Sequence, residues 1–330
     1  MQIDYLQVKR SLLKLGLLPL IVLAFLTVAL IEPRFLSANN VVNNLRISSL
    51  LAIVACGQAM VIIVGGFDLS VGAVMGLTSV VVSTVIVAVL GVSPNAPLFA
   101  VAAGVLAGLA VAFAIGLLNG LCVAGLKLPG FIVTLGTMSI VSGIMFTMTQ
   151  GIPIYGLPPE FTKQLGQALW FGLPSLTYVA AALVAFMYFV QRRTTFGRHS
   201  YAVGGNSHAA AVSGVATRRV TVACYILSSM FASVAGMLLT ALVGSGQATI
   251  GGEQMMLQSI AAAVIGGVSL RGGVGRVDRV AFGAICLILL TNSLNLMRIS
   301  SKLQVVFVGL IIIIQVAAEQ HAARLRKHHA

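Results

Sequence analysis

The acidic residues, which would have to carry hydrolytic or metal chemistry, are few and stand singly. There are 7 in 330 residues. No GxxxxGK[ST], HExxH or GxSxG motif occurs, and the four cysteines have no CxxC spacing. The sequence therefore predicts no catalytic residues, no metal site and no cofactor on this chain. The acids are Asp4, Glu32, Asp68, Glu160, Glu253, Asp278 and Glu319.

Asp68 is the acid with the most informative surroundings. It lies in VGGFDLSVGAV, between two apolar stretches, and glycines on both sides indicate that a helix breaks here. A carboxylate near lipid is costly unless it is paired or faces a water-filled cavity. Two interpretations stay open. The break offers polar groups to a solute at membrane depth, or it is a short hydrated cytoplasmic turn in which Asp68 or Ser70 caps the next helix.

The composition places these residues in a membrane. The chain is 58% hydrophobic and 8% charged, against about 45–50% and about 25% in a soluble domain. Apolar stretches between the charges predict an all-α, polytopic membrane protein with about ten transmembrane helices. They are expected to form a single transmembrane domain over 1–330. The predicted spans are 12–31, 42–64, 70–90, 98–122, 130–149, 172–191, 219–243, 257–270, 280–297 and 303–318.

The basic residues predict the orientation. With the N-terminus inside, 15 of the 20 lysines and arginines face the cytoplasm, which accounts for the net charge of +13 without a nucleic-acid partner. Both termini are then cytoplasmic. The loop 150–171 is periplasmic and the loop 192–218 is cytoplasmic. The first apolar run ends in Glu32-Pro33-Arg34 rather than in a cleavage site, so it is expected to be a retained helix.

One predicted helix carries small residues at four-residue spacing, a pattern that lets helix backbones approach closely in a membrane. The stripe has two interpretations: packing within this chain's own bundle, or contact with a second chain of the same kind. It consists of Gly104, Gly108, Ala112, Gly116 and Gly120.

Four segments in order resemble one family of transporters. GGFDLSVGAVMGL resembles the GG-[IL]-DLSVG signature of permease subunits from sugar-type bacterial ABC importers, the ribose/xylose/arabinose class. The segments 119–144, 196–215 and 259–277 resemble that family's PxFIxTLGT, FGR-x-x-YA-x-GGN and IGG-x-SL-x-GG-x-G stretches. The resemblance covers about residues 34–318.

The resemblance implies a multi-pass protein of the bacterial inner membrane that imports a monosaccharide or similar small polar solute. It implies two ATP-binding cassette ATPase subunits, which would hold the ATP and Mg²⁺. It also implies a periplasmic solute-binding protein and a second permease chain, forming a homo- or heterodimer. The alternatives are the same architecture for a non-sugar solute, such as an amino acid or an autoinducer, and a secondary transporter that works without ATP.

Polar residues inside the predicted spans are the candidates for the solute pathway, because a sugar needs amide, hydroxyl and aromatic contacts. The competing interpretation of each is a hydrogen bond between helices. The candidates are Asp68, Gln58, Asn119, Phe131, Thr134, Thr137, Asn292 and Asn295.

The loop 192–218 is the expected contact for the ATPase. Its residues 208–214 resemble the EAA---G pattern of importer permeases, with His208 where the family usually has Glu. Asn206 or Ser207 is expected to cap a short helix, and Gly214 to end it. The candidate coupling residues are Asn206, His208, Ala209, Ala210 and Gly214.

Overall fold

The computed structural model describes residues 29–300 and 302–310, together with 313, 314 and 317. This part of the chain is almost entirely helical, with one two-stranded antiparallel hairpin, β1 (Leu169–Trp170) and β2 (Leu173–Pro174). A 3-10 helix, Pro33–Leu36, precedes α1 and a π-helix, Glu160–Gln167, follows α4. The α-helices are α1 (Ala38–Ile63), α2 (Val71–Val92), α3 (Pro97–Ala124), α4 (Gly130–Thr149), α5 (Ser175–Arg193), α6 (Thr195–Gly205), α7 (Ser207–Val212), α8 (Thr217–Val243), α9 (Gly252–Ile265), α10 (Val277–Leu296) and α11 (302–310).

Among the described residues, seven helices are long and apolar enough to cross a membrane: α1, α2, α3, α4, α5, α8 and α10. The prediction of an all-α, polytopic membrane protein is confirmed. The predicted span 12–31 lies outside the described residues except for its last three, and 303–318 is described only in part.

The predicted span 257–270 differs in the structure. Helix α9 starts five residues earlier and ends at Ile265, because Gly266 and Gly267 terminate it. Its 14 residues reach about 21 Å, which is short of a hydrocarbon core of roughly 30 Å. Helix α9 is therefore shorter than a full membrane-spanning helix, and it packs against α1, α2 and α10.

Helix α1 is the centre of the bundle. Within its most apolar window, 89% of the residues are buried, and it packs against α5, α8, α9 and α10. Every residue from Ser48 to Ile63 is buried, as expected of a helix part that is surrounded by protein. The helices at the periphery, α3 and α4, bury only 22% of the corresponding windows and leave apolar side chains on the outer surface.

The small-residue stripe of α3 faces this chain's own bundle. A Cβ atom at Gly116 would lie 2.7 Å from the Cα of Ile226, and one at Gly120 would lie 2.7 Å from the Cα of Val222. The stripe thus brings α3 against the backbone of α8, while Gly104 and Gly108 contact side chains of α2. Of the two interpretations of the stripe, packing within the chain is confirmed.

The segment after α4 is more ordered than a loop. Ile154 exchanges two backbone hydrogen bonds with Gly246, at 2.8 and 2.9 Å, and the π-helix packs against α8. Arg46 Nη2 donates to the carbonyl of Gln167 at 2.9 Å, which ties the segment to α1. These contacts close one end of the bundle.

Candidate functional site

The Asp68 segment is a helix break, as the glycines indicated. Helix α1 ends with Gly65 at φ +84°. Gly65 N donates to the carbonyl of Ile62 and Gly66 N to that of Val61, both at 2.9 Å, which is the Schellman pattern. Residues 64–70 then form an irregular linker, and α2 begins at Val71.

Asp68 fixes the turn that leads into α2. Its Oδ1 accepts a hydrogen bond from Ser70 N at 3.0 Å and another from Ser70 Oγ at 2.5 Å. These bonds hold the linker in one conformation, as short polar side chains commonly do at turns and helix starts. Ser70 is the N-cap residue of α2, but no side chain caps a backbone N–H of the helix, so the capping role predicted for Asp68 or Ser70 is not seen.

Two candidate residues from other helices continue this hydrogen-bond chain. Asn119 of α3 donates from Nδ2 to Ser70 Oγ at 3.0 Å, and Thr137 of α4 donates to Asn119 Oδ1 at 2.6 Å. The donors run in one direction, from Thr137 through Asn119 and Ser70 to Asp68. We call these four residues the Asp68 network. It joins α3, α4 and the linker.

Two hydroxyl groups hold the linker backbone beside the network. Thr134 Oγ1 accepts from Leu69 N at 3.0 Å and lies 2.8 Å from the carbonyl oxygen of Gly130. Tyr225 Oη of α8 donates to the carbonyl of Phe67 at 3.2 Å. Sequence reasoning did not select Tyr225. Its only signal was that it is the one tyrosine in the predicted span 219–243.

The Asp68 carboxyl is fully buried and has no basic side chain within ion-pair distance among the described residues. Burial raises the pKa of this carboxyl above its ordinary value, and the hydrogen bonds from Ser70 act in the opposite direction. Within the described residues, neither Asp68 Oδ2 nor Ser228 Oγ makes a hydrogen bond of ordinary geometry. The Asp68 side chain is therefore not hydrated at the surface, although Gly65 of the same linker is exposed. The depth of the linker in the membrane stays a prediction.

The remaining pathway candidates lie apart from the Asp68 network. Gln58 is buried on α1, and its amide has no hydrogen-bond partner in the described part of the chain. Asn292 exchanges two hydrogen bonds with Asn40, at 2.9 and 3.0 Å. Asn295 Oδ1 accepts from Gln304 at 2.7 Å, and Phe131 is 55% exposed at the start of α4. The structure thus assembles four of the eight candidates, Asp68, Asn119, Thr134 and Thr137, in one place.

The predicted short helix in the loop 192–218 is present as α7. Asn206 Oδ1 accepts from Ala209 N at 2.9 Å, and this bond caps the start of the helix. Gly214, at φ +84°, ends it in a second Schellman pattern, with Val215 N donating to the carbonyl of Ala210 at 3.0 Å. Both caps are those expected from the sequence.

The two sides of α7 differ in exposure. His208 and Ala209 are exposed, whereas Ala210 is buried against the rest of the chain. Of the candidate coupling residues, Asn206, His208, Ala209 and Gly214 are exposed and therefore available to a partner, whereas the buried Ala210 holds α7 in place.

Comparison with known proteins identifies the family. The family described as "Branched-chain amino acid transport system / permease component" matches residues 40–316. This chain belongs to that family. The permease is also 36% identical over 309 residues to the ribose import permease protein of Bacillus subtilis, covering 93% of this chain and 91% of the relative.

Two further relatives transport other sugars. The permease is 33% identical over 314 residues to the L-arabinose transport system permease protein of Escherichia coli, covering 94% of this chain and 92% of the relative. It is 36% identical over 320 residues to the galactose/methyl galactoside import permease protein of the same organism, covering 93% and 94%. No solved structure matches. The family resemblance, and the prediction of a permease rather than an enzyme, are confirmed.

Proposed function

We propose that this permease forms the pathway by which a bacterial ABC importer moves a monosaccharide across the inner membrane. The observation that carries the proposal is the similarity to ribose, L-arabinose and galactose permeases over nine-tenths or more of the chain. ATP and Mg²⁺ belong to two separate ATPase subunits, a periplasmic protein delivers the solute, and a second permease chain completes the pathway.

The proposed topology has ten membrane crossings, one of them made by the short helix α9 together with the chain on either side of it. Both termini lie in the cytoplasm, and the whole chain forms one transmembrane domain. Segment 150–171 is periplasmic, and α6 and α7 meet the ATPase. The exposed His208 and Ala209 support this contact, as do the flanking arginines, which suit an anionic inner surface. The Asp68 network, Gln58, Phe131, Asn292 and Asn295 are the proposed pathway residues, with Thr134 beside the network.

The test begins with affinity purification of the tagged permease from native membranes, to identify the ATPase and the binding protein. The complex is then reconstituted in liposomes, and uptake of labelled ribose, L-arabinose and galactose is measured with and without ATP. We expect uptake of at least one of these sugars that depends on both ATP and the binding protein. Uptake by the permease alone, driven by an ion gradient, would establish the secondary-transporter alternative.

The second candidate function is import of an amino acid or another non-sugar solute by the same architecture. The description of the matching family, a branched-chain amino acid system, favours this candidate. Competition of uptake by unlabelled leucine, isoleucine or valine, with no competition by the three sugars, would support it over the sugar proposal.

A further inference from the structure

Three glycine-containing segments that are far apart in sequence meet at one point. The end of α1, the end of α6 and the loop after α9 approach so closely that backbone contacts backbone. We call Gly65, Gly204, Gly272 and Gly273 the glycine junction. A Cβ atom at Gly272 would lie 2.9 Å from the carbonyl oxygen of Gly204 and 3.1 Å from the Cα of Gly65.

A hydrogen bond anchors the junction to α1. The last carbonyls of a helix have no partner within the helix, and the Schellman pattern after α1 uses those of Ile62 and Val61. The next carbonyl, that of Ile63, accepts from Gly273 N at 2.8 Å. The loop after α9 therefore completes the end of α1.

Gly204 fits where a side chain could not. A Cβ atom there would overlap the Ile63 carbonyl oxygen and would lie 2.5 Å from Gly273 N, so it would press on the hydrogen bond just described. The neighbouring Gly205 differs, because a Cβ atom added to it would meet nothing within 4 Å. Neither glycine has a positive φ. An alanine at either position would leave φ unstrained, so a difference between the two substitutions would report only the close packing around Gly204.

Helix α6 is also tied to the loop by a side chain. Tyr201 Oη donates to the carbonyl of Gly275 at 2.5 Å. At its other end α6 leads directly into α7, because Asn206 ends α6 and caps α7. A displacement of α7 therefore moves α6 and, through Gly204 and Tyr201, the loop that holds the end of α1.

A few contacts connect the end of α1 to Asp68. Gly65 lies in the junction, and Gly66 lies so close to Tyr225 that a Cβ atom would be 2.7 Å from Tyr225 Oη. Tyr225 in turn holds Phe67, the residue before Asp68. Each step is a hydrogen bond, a close packing contact or a single covalent linkage.

We propose that Gly204 and Gly273 are positioning residues that transmit movement of α7 to the Asp68 network. The inference rests on the proposed function, because it takes α7 as the contact for the ATPase. Close backbone packing and the Gly273–Ile63 hydrogen bond make the junction stiff, so it passes a displacement on rather than absorbing it. The Asp68 network then carries the displacement to α3 and α4.

The experiment compares Gly204→Ala with Gly205→Ala in the full importer complex, reconstituted with its ATPase and binding protein. The solute is whichever of ribose, L-arabinose or galactose the wild-type complex takes up. Complex assembly, basal ATP hydrolysis, stimulation of hydrolysis by loaded binding protein, and uptake are measured. We expect Gly204→Ala to keep assembly and basal hydrolysis and to lose at least about fivefold of the stimulation. Gly205→Ala is expected to match wild type.

Tyr201→Phe provides an independent variant without added bulk. It removes the hydrogen bond to Gly275 and is expected to reduce stimulation while leaving basal hydrolysis unchanged. If Gly204→Ala does not assemble, the result for Tyr201→Phe decides. Wild-type stimulation in the deciding variant, or an equal loss in Gly205→Ala, would overturn the proposal. Absence of solute-stimulated hydrolysis in the wild-type complex would instead overturn the proposed function.

Discussion

The Asp68 carboxyl is the acceptor at the end of a chain of donors, and its loss has a local effect on stability. In Asp68→Ala, Ser70 N and Ser70 Oγ lose their buried acceptor. An unsatisfied buried donor costs about 1–3 kcal/mol, so we expect this variant to unfold at a lower temperature in detergent. Asp68→Asn is the matched control, because its amide oxygen can still accept from Ser70. Equal destabilisation of both variants would contradict a hydrogen-bonding role.

The stability difference between wild type and Asp68→Asn is expected to depend on pH. Burial raises the pKa of Asp68 in the folded protein, relative to about 3.9 in the unfolded chain. A raised pKa means that the folded state binds the proton more tightly, so wild-type stability falls as pH rises from the unfolded to the folded pKa. Asp68→Asn lacks this loss and should gain relative stability with rising pH. The measurement is the unfolding temperature of wild type and Asp68→Asn at several values from pH 4 to 7. A difference between the two proteins that does not change with pH would contradict the prediction.

Uptake by the same Asn variant tests a prediction made from the sequence alone. A single acid between glycines inside a permease is expected to matter for transport more than for membrane insertion. Asp68→Asn should therefore insert normally and transport less. Wild-type uptake would leave the carboxyl with only a structural role in the turn before α2.

At the scale of elements, α3 depends on its small residues. In Gly116→Leu the new side chain would meet the backbone of α8, with the Cα of Ile226 2.7 Å from the added Cβ. Gly108→Leu would meet Val82 and Met237. Overpacking typically costs about 1–3 kcal/mol, so both variants should aggregate at lower temperature in detergent. Gly143→Leu on the open face of α4, where a Cβ atom meets nothing within 4 Å, should be unchanged.

For α7, the structure changes the choice of residue to test. The sequence suggests that a bulky replacement of Ala210 uncouples the ATPase, but Ala210 is buried against its own chain. Ala210→Phe is therefore expected to lower the stability of the permease itself. Ala209→Phe, on the exposed side, should leave that stability unchanged and reduce co-purification of the ATPase. Normal assembly and transport with Ala209→Phe would exclude this face as the contact.

At the scale of the whole molecule, the testable property is orientation. Lys163 on the π-helix and His208 on α7 are both exposed, and the distribution of basic residues predicts that they lie on opposite sides of the membrane. Lys163→Cys should react with a membrane-impermeant maleimide in right-side-out vesicles, and His208→Cys only in inside-out vesicles. Wild type provides the background, since three native cysteines are buried and Cys122 is partly buried. The reverse labelling pattern would invert the proposed topology.

Properties set by composition and short-range spacing could be predicted from the sequence. A chain with 8% charge has too few polar side chains for a soluble surface, so its membrane class followed directly. The helix break at Asp68 and both caps of α7 also followed, because glycine, asparagine and aspartate act on backbone groups within a few residues. The ordered family motifs were readable for the same reason, since each is a continuous segment.

Contacts between distant segments were decided only by the tertiary structure. Helix α3 is apolar on all sides, so its sequence could not tell whether the glycine stripe packs inward or against a second chain. Asn119, Thr137 and Ser70 lie on different elements, and only helix packing brings their side chains within hydrogen-bond distance. The burial of Asp68 and Ala210 and the glycine junction have the same origin. Each depends on which helix faces overlap, and the pattern of apolar residues does not specify this where nearly every residue is apolar.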